Sequence, residues 1–263
     1  MTPEEPVSVA PMRVAVVGKG GAGKSVIAGT MARLMARRGA RVLALDSDPL
    51  PGLSLSLGSG PEPAEPPLGN AAEQDENGHW GWKKGVGPVR AVQRYATGAP
   101  DGVRLVQLGK PPREGFEPII GSSKAFYEVV HHIADARALR DWTFIGDLPA
   151  GPRQAAFDYA PYAHTFVVVV QPTAQSALTA RRVARIVRMR RRDVAVVFIA
   201  NRVREKADVH HVEKLIGERV FASLPADDGV ATAERLGVAP IDYAPDSPAI
   251  TAIGRLATAL VKL

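Results

Sequence analysis

No cysteine occurs anywhere in the chain. That excludes disulfides, thiolate-held zinc, cysteine-ligated iron–sulfur clusters and a cysteine nucleophile. No apolar run approaches the length needed to cross a bilayer. The N-terminal stretch MTPEEPVSVAP is acidic and carries prolines, unlike a signal peptide, so a cytoplasmic protein is expected. There is no internal repeat and no sign of a second domain. The 263 residues, 46% of them hydrophobic, are enough to bury a sizeable core as one domain spanning 1–263.

The net charge is +6. A basic balance is compatible with nucleic acid or an anionic membrane as partner, or with plain solvation. The basic residues are spread along the chain. The one local run, RMRRRD at 188–193, falls at the end of an expected helix, where cations complement the dipole.

Short runs rich in Val, Ile, Leu and Ala predict strands at residues 12–17, 41–46, 103–108, 142–147, 165–170 and 194–200. Helical patterns lie near 24–38, 122–136, 174–190, 209–217, 227–236 and 248–261. Near-continuous apolar strands alternating with helices predict a parallel sheet covered on both faces, a doubly wound α/β fold. Residues 58–102 break the pattern. They are rich in Pro, Gly and Glu and contain HWGWKK, so a long lid-like insertion with one short helix is expected. Trp80 and Trp82 there would either dock a partner or cover the domain's own core.

GKGGAGKS, residues 18–25, fits G-x-x-x-x-G-K-[ST] in full, between a strand and a helix. The glycines let backbone N–H groups of Gly20, Gly21, Ala22, Gly23, Lys24, Ser25 and Val26 turn around a β-phosphate at a helix N-terminus. Lys24 would reach the β- and γ-phosphates and the Ser25 hydroxyl would ligate Mg2+. The loop is a phosphate-loop NTPase motif, so ATP or ADP with Mg2+ is expected. Asp46 and Asp48, in ALDSDP, fall at the C-terminal end of the second strand, where open α/β sheets bind ligands. On an extended chain the two would project on one side. The alternative is an aspartate pair capping the next helix. FIGDLPAG, 144–151, is another strand ending in a carboxylate, Asp147.

With Lys19 added, the loop resembles the deviant phosphate loop K-G-G-x-G-K-[ST]. That loop belongs to the ATPases that include nitrogenase iron protein, the arsenite-pump and tail-anchored-protein ATPases, the MinD/ParA division-site and partition ATPases, and the CooC-type nickel-insertion ATPases. The resemblance implies a nucleotide-sandwich homodimer in which Lys19 touches the phosphates of the partner's ATP. DSDP resembles the family's first switch, with Asp48 positioning or activating water, Asp46 supporting Mg2+ or its waters, and Pro49 fixing the turn. DLPAG resembles the second switch, with Asp147 on the metal side and the Gly151 N–H responding to the γ-phosphate. FIANRV resembles the adenine-contacting N-[KR] motif, Asn201 and Arg202, and SLPADDGV the rest of the adenine rim, Leu224, Pro225 and Asp227. Either could also be an ordinary strand-to-helix turn.

The resemblance is greatest to the CooC-type group, through LGK, DLPAG, VVVVQPTAQSALTARRVARI and DSPAITAIGRLA. CooC-type proteins hold nickel through a C-x-C pair that follows the LGK-like segment. KPPREGFEPIIGSS stands there instead. Thiolate metal delivery and cluster electron transfer are therefore excluded. The pairs His131–His132 and His210–His211 read as surface histidines, since neighbours on a helix point different ways. Two classes of function remain: a maturation-type ATPase acting on an unidentified protein client, and a partition- or positioning-type ATPase binding nonspecific DNA or membrane. A membrane anchor would need an amphipathic stretch, and AITAIGRLATALVKL at the C-terminus is better suited to packing on the sheet. A nucleotide-binding module with negligible turnover is the third option, opposed by Asp48 together with Lys19.

Overall fold

The structure is a computed structural model that describes residues 10–48, 52–60, 68–108, 117–152 and 159–263. Pro49 and residues 110–116, the first half of the segment in place of the C-x-C pair, lie outside these residues.

The chain opens with β1 (Arg13–Gly18), α1 (Lys24–Arg37), β2 (Val42–Asp46) and a short α2 (Leu53–Leu57). A small antiparallel hairpin follows, β3 (Ala72–Gln74) with β4 (Trp80–Trp82), then α3 (Pro88–Tyr95), β5 (Thr97–Gly98) and β6 (Arg104–Gln107). Next come α4 (Glu117–His132), β7 (Thr143–Asp147), β8 (Thr165–Val170), α5 (Ala174–Arg190) and β9 (Ala195–Val203). The chain ends with α6 (Lys206–Ile216), β10 (Ala222–Pro225), α7 (Asp228–Leu236), α8 (Pro240–Tyr243) and α9 (Pro248–Leu260).

Among the described residues, eight strands form one sheet in the order β10-β9-β8-β1-β7-β2-β6-β5. Every neighbouring pair is parallel except the edge pair β5–β6. The central strands are apolar because helices cover both faces. Side chains alternate along each strand. Ala15 and Val17 of β1 and Val168 and Val170 of β8 join a core layer under α3, α4, α5 and α6. Val14, Val16, Val167 and Val169 join the opposite layer under α1, α2 and α9. This confirms the doubly wound α/β fold.

The insertion is more structured than its composition suggests. Ala91, Val92 and Tyr95 of α3 are buried, Trp82 packs against the same core layer, and Leu68 and Ala71 lie beneath them. The short helix expected there is the eight-residue α3, which enters after Gly87 with Pro88 in its first turn. Helix α9 buries Ile253, Leu256 and Leu260 on the sheet, the packing role expected for the C-terminal stretch. No helix among the described residues is long and apolar enough to cross a membrane.

A candidate nucleotide and metal site at the strand ends

β1 lies inside the sheet, with β7 on one side and β8 on the other. The chain order switches there, and ligands of open α/β sheets bind in the crevice beyond such a switch point. The loop from β1 to α1 occupies it. Gly18, Gly21 and Gly23 all have positive φ. A Cβ on Gly18 would sit 2.6 Å from the Val169 carbonyl oxygen, and one on Gly23 would sit 2.4 Å from Asn201 Nδ2. The glycines are therefore required by contact as well as by backbone conformation. Gly23 caps α1 without a side chain that accepts from the first turn, which leaves those amides pointing at the crevice.

Three strand ends hold the loop in shape. Asn201 Nδ2 donates to the Ala22 carbonyl at 2.7 Å. Gln171 Nε2 donates to the Gly21 carbonyl at 3.2 Å. The Gly151 N–H donates to the Gly18 carbonyl at 3.2 Å. Inside the loop, the buried Lys24 ammonium donates across to the Lys19 carbonyl at 3.4 Å. The Lys19 side chain is half-buried and has no ion-pair partner among the described residues.

Beside the loop stands a group of carboxylates. Parallel pairing of β2 with β7 puts Asp46 directly beside Asp147, and both are buried. The Asp46 oxygens accept the N–H groups of Asp48 (3.1 Å) and Leu53 (3.2 Å). The chain thus turns back after β2 instead of staying extended, and Asp46 braces the start of α2. The close carboxylate pair is Asp46 with Asp147, across two strands. Asp48 follows on the loop, half-buried and near enough to Asp147 to repel it. Burial, the Asp147 charge and Asp48 raise the Asp46 carboxyl well above its ordinary value, against the two N–H groups. Burial also raises Asp147, to about 6, despite a hydrogen bond from Ser25 and the charge of Lys24, while Asp48 pushes it further up. Asp147 Oδ1 has no hydrogen-bond partner. An orphaned buried carboxylate oxygen beside a hydroxyl and further carboxylates fits a hard divalent cation with oxygen ligands. Ser25 and Asp147 are the residues best placed to hold Mg2+ here, with Asp48 near them.

Gly52, at the start of α2, would place a Cβ 2.9 Å from Ser25 Oγ. The first-switch region therefore touches the loop's last residue through backbone alone.

A cleft of about 450 Å3 opens on the other side of Gly23. Asn201, Arg202, Leu224 and Asp227 of the two rim motifs line it, and Val26 and Ile27 of α1 close one wall. Pro225 ends β10 and does not line it. Arg202, with φ 59, pairs with Glu234 of α7 at 3.2 Å. The pair stands between this cleft and a second of about 260 Å3 that passes Lys24, Ser25 and Gly52. Asp227 caps α7 through the Val230 N–H and also accepts from the Ala249 N–H. Burial works to raise its pKa, but these hydrogen bonds and that of Ser247 hold it below the ordinary value. Gln171 is marked in the sequence as the polar residue that ends the apolar run VVVV. Glu234 and Ile253 give no such signal, since tertiary packing alone brings α7 and α9 to the cleft.

A loop that cradles phosphates, a buried acidic pocket beside it and a cleft beyond it define a P-loop nucleotide-binding protein of the doubly wound class. Residues 14–241 match the CobQ/CobB/MinD/ParA nucleotide binding domain family, and the chain belongs to it. It is 27% identical to an uncharacterized ATP-binding protein of Methanocaldococcus jannaschii, over 96% of this chain and 98% of that one. It is 25% identical to the carbon monoxide dehydrogenase accessory protein CooC of Rhodospirillum rubrum, over 89% and 91%. Its fold matches a ParA family ATPase of Chlorobium tepidum with a TM-score of 0.71 at 20% identity, covering 94% of this chain and 98% of that one. It also matches the septum site-determining protein MinD of Pyrococcus horikoshii, complexed with Mg-ADP, with a TM-score of 0.66 at 19% identity over 95% and 96%.

Proposed function

We propose that the protein is a cytoplasmic Mg2+–ATP-dependent ATPase that works as a homodimerising nucleotide switch on a protein client, in the manner of the CooC-type group but without a cysteine metal site. The observation that carries this reading is Asp147. It is buried with Oδ1 unpartnered, and burial holds its carboxyl near 6 although the Ser25 hydroxyl and the Lys24 charge act to lower it. Such a carboxylate is costly unless a cation and phosphate complete the site.

In this reading the first-turn amides of α1 and the Lys24 ammonium hold the β- and γ-phosphates. Ser25 and Asp147 hold Mg2+, which when bound offsets charge on the phosphate oxygens. Asp48 orients the attacking water. Lys19, with no ion-pair partner among the described residues, reaches the phosphates of the second protomer. Gly151 is bonded to the loop at Gly18, so a change at the γ-phosphate passes to the 147–151 segment by that contact. Adenine enters the cleft lined by Asn201, Arg202, Leu224 and Asp227.

A partition- or positioning-type role on nonspecific DNA is the second reading, favoured by the net charge of +6. Light scattering tests both, on wild type, Lys24→Ala, Asp48→Ala and Lys19→Ala, each without nucleotide, with ADP and with ATP. The expected result is an ATP-only dimer, lost in Lys24→Ala and Lys19→Ala and persistent in Asp48→Ala, which does not turn ATP over. A monomer in every condition refutes the switch. An ATP dimer that binds duplex DNA and releases it as salt rises moves the protein to the second reading.

A further inference from the structure

Helix α5 carries Arg181, Arg185 and Arg188 at spacings of four and three, with Arg192 four residues further on. The spacings put Arg181, Arg185 and Arg188 on one face of the helix, and Arg192 lies just past its end. The first three span about 10 Å of helix at 1.5 Å per residue. All four are exposed. They line a groove of about 570 Å3 between α5 and the C-terminal end of α6. Arg188 is held in place by a two-pronged pair with Glu218, at 2.7 and 2.8 Å. Arg181, Arg185 and Arg192 have no ion-pair or hydrogen-bond partner among the described residues. The groove therefore holds four cations against one carboxylate.

Its floor is different in kind. Ala184 and Ile216 lie at the bottom, and the Met189 side chain stands beside them 72% exposed. An adaptable thioether side chain left in water among cations is typical of a binding surface. Bare phosphates need the cations and have no use for the floor. A lipid surface is flat or convex towards the protein, whereas this face is concave. An acidic amphipathic helix satisfies both parts, with carboxylates at i and i+4 against the arginines and an aliphatic residue over Met189.

We infer that the α5–α6 groove is a docking site for an acidic amphipathic helix of a protein partner. The inference rests on the protein-client reading and supplies the chemistry of the client. Arginine is suited to this, since its planar fork engages carboxylates with two parallel hydrogen bonds.

The test uses the full chain and a labelled synthetic peptide of about five helical turns, with glutamates spaced to match the arginines and leucines between them. Binding is followed by fluorescence anisotropy, with and without Mg2+–ATP. The expected result is salt-sensitive binding that weakens at least about tenfold in Arg181→Ser/Arg185→Ser/Arg192→Ser, the combined effect of three exposed charge pairs. Met189→Ser, or serines in place of the peptide's leucines, weakens it too. Equal binding by wild type and the triple variant overturns the site. So does a mixed-sequence DNA duplex or a phosphatidylserine vesicle that binds this face more tightly than the peptide and is lost in the triple variant. The triple variant removes no side-chain hydrogen bond or ion pair among the described residues, so its ATP-dependent mass should match wild type. If the peptide fails while that dimer forms, the groove assignment is wrong and the switch stands. If the peptide binds while no nucleotide state dimerises, the reverse holds.

Discussion

Replacing Asp147 by asparagine should make the nucleotide-free protein more stable and disable it at the same time. In the folded chain burial holds the Asp147 carboxyl at about 6, against 3.8 for an ordinary aspartate. Its charged form is therefore disfavoured by about 3 kcal/mol at neutral pH. Asparagine keeps the shape and accepts from Ser25 without the charge. It also removes the second-largest cause that raises Asp46. A gain of about 2–3 kcal/mol is expected at pH 7.5, or a Tm higher by about 5–10 °C for a chain of this size. The sign follows from proton linkage. A carboxyl whose pKa is raised on folding binds its proton first in the native state, so wild-type stability falls as pH rises from about 4 to about 6. The penalty is complete above that range and absent below it. The gap between variant and wild type should thus open across that window and stay level at higher pH. Differential scanning fluorimetry from pH 4 to pH 8 reads it. With Mg2+ and ATP the gap closes and then reverses as ligand rises, because binding stabilises wild type by RT ln(1 + [L]/Kd), about 3 kcal/mol at a hundredfold and about 4 kcal/mol at a thousandfold excess over Kd. A variant less stable than wild type at pH 7.5, or a gap that ignores pH, refutes the buried-charge argument. An unchanged response to Mg2+ refutes the metal assignment.

Arg33 of α1 is buried and pairs with Asp101 at 2.6 Å and with Asp242, and it donates to the Leu57 carbonyl. Arg33→Met should cost about 2 kcal/mol in urea unfolding, because the two carboxylates lose their buried cation and keep only the more exposed Arg37. Burial would raise the Asp101 carboxyl, but Arg33 and Arg37 hold it below its ordinary value. That part of the stability is present above an aspartate's usual pKa and is lost as pH falls through the depressed value, so the cost of the substitution should shrink in strong acid. Asn201→Ala removes the 2.7 Å hydrogen bond to the Ala22 carbonyl. A stability loss of about 1–2 kcal/mol is expected. Calorimetry should show weaker ATP binding as well, since Asn201 holds the loop and lines the cleft.

Much of this site was legible in one dimension because its parts are consecutive residues. The phosphate loop must follow a strand and open a helix, and its glycines answer to local backbone demands, so GKGGAGKS announces itself. Asp46 and Asp147 were legible as residues ending apolar strands. The alternation of strands and helices declared a parallel sheet, since only strands buried on both faces read as TFVVVV. What the sequence could not state is which strand ends meet. The neighbour relation of β2 and β7 sets Asp46 against Asp147, and burial there turns two ordinary carboxyls into a strained pair; neither fact is local. That Asp46 also accepts the N–H groups of Asp48 and of Leu53 at the start of α2 is not local to the strand either. Gly151, expected to face a phosphate, is bonded to Gly18. The hairpin and α3 within the insertion are folded by contacts with α4 and the core, against a composition that reads as loop. On α5 the run at 188–193 reads as a charged helix end, yet Arg181, Arg185 and Arg188 share one face only when the chain is wound at 3.6 residues per turn. Met189 and Ile216 come to the same groove only when α6 packs alongside. The sequence by itself determined the chemistry available: phosphate binding, carboxylates at strand ends, and no thiol. The tertiary structure decided which of those groups lose water and which face each other, because desolvation and charge coupling depend on distance in space and not along the chain.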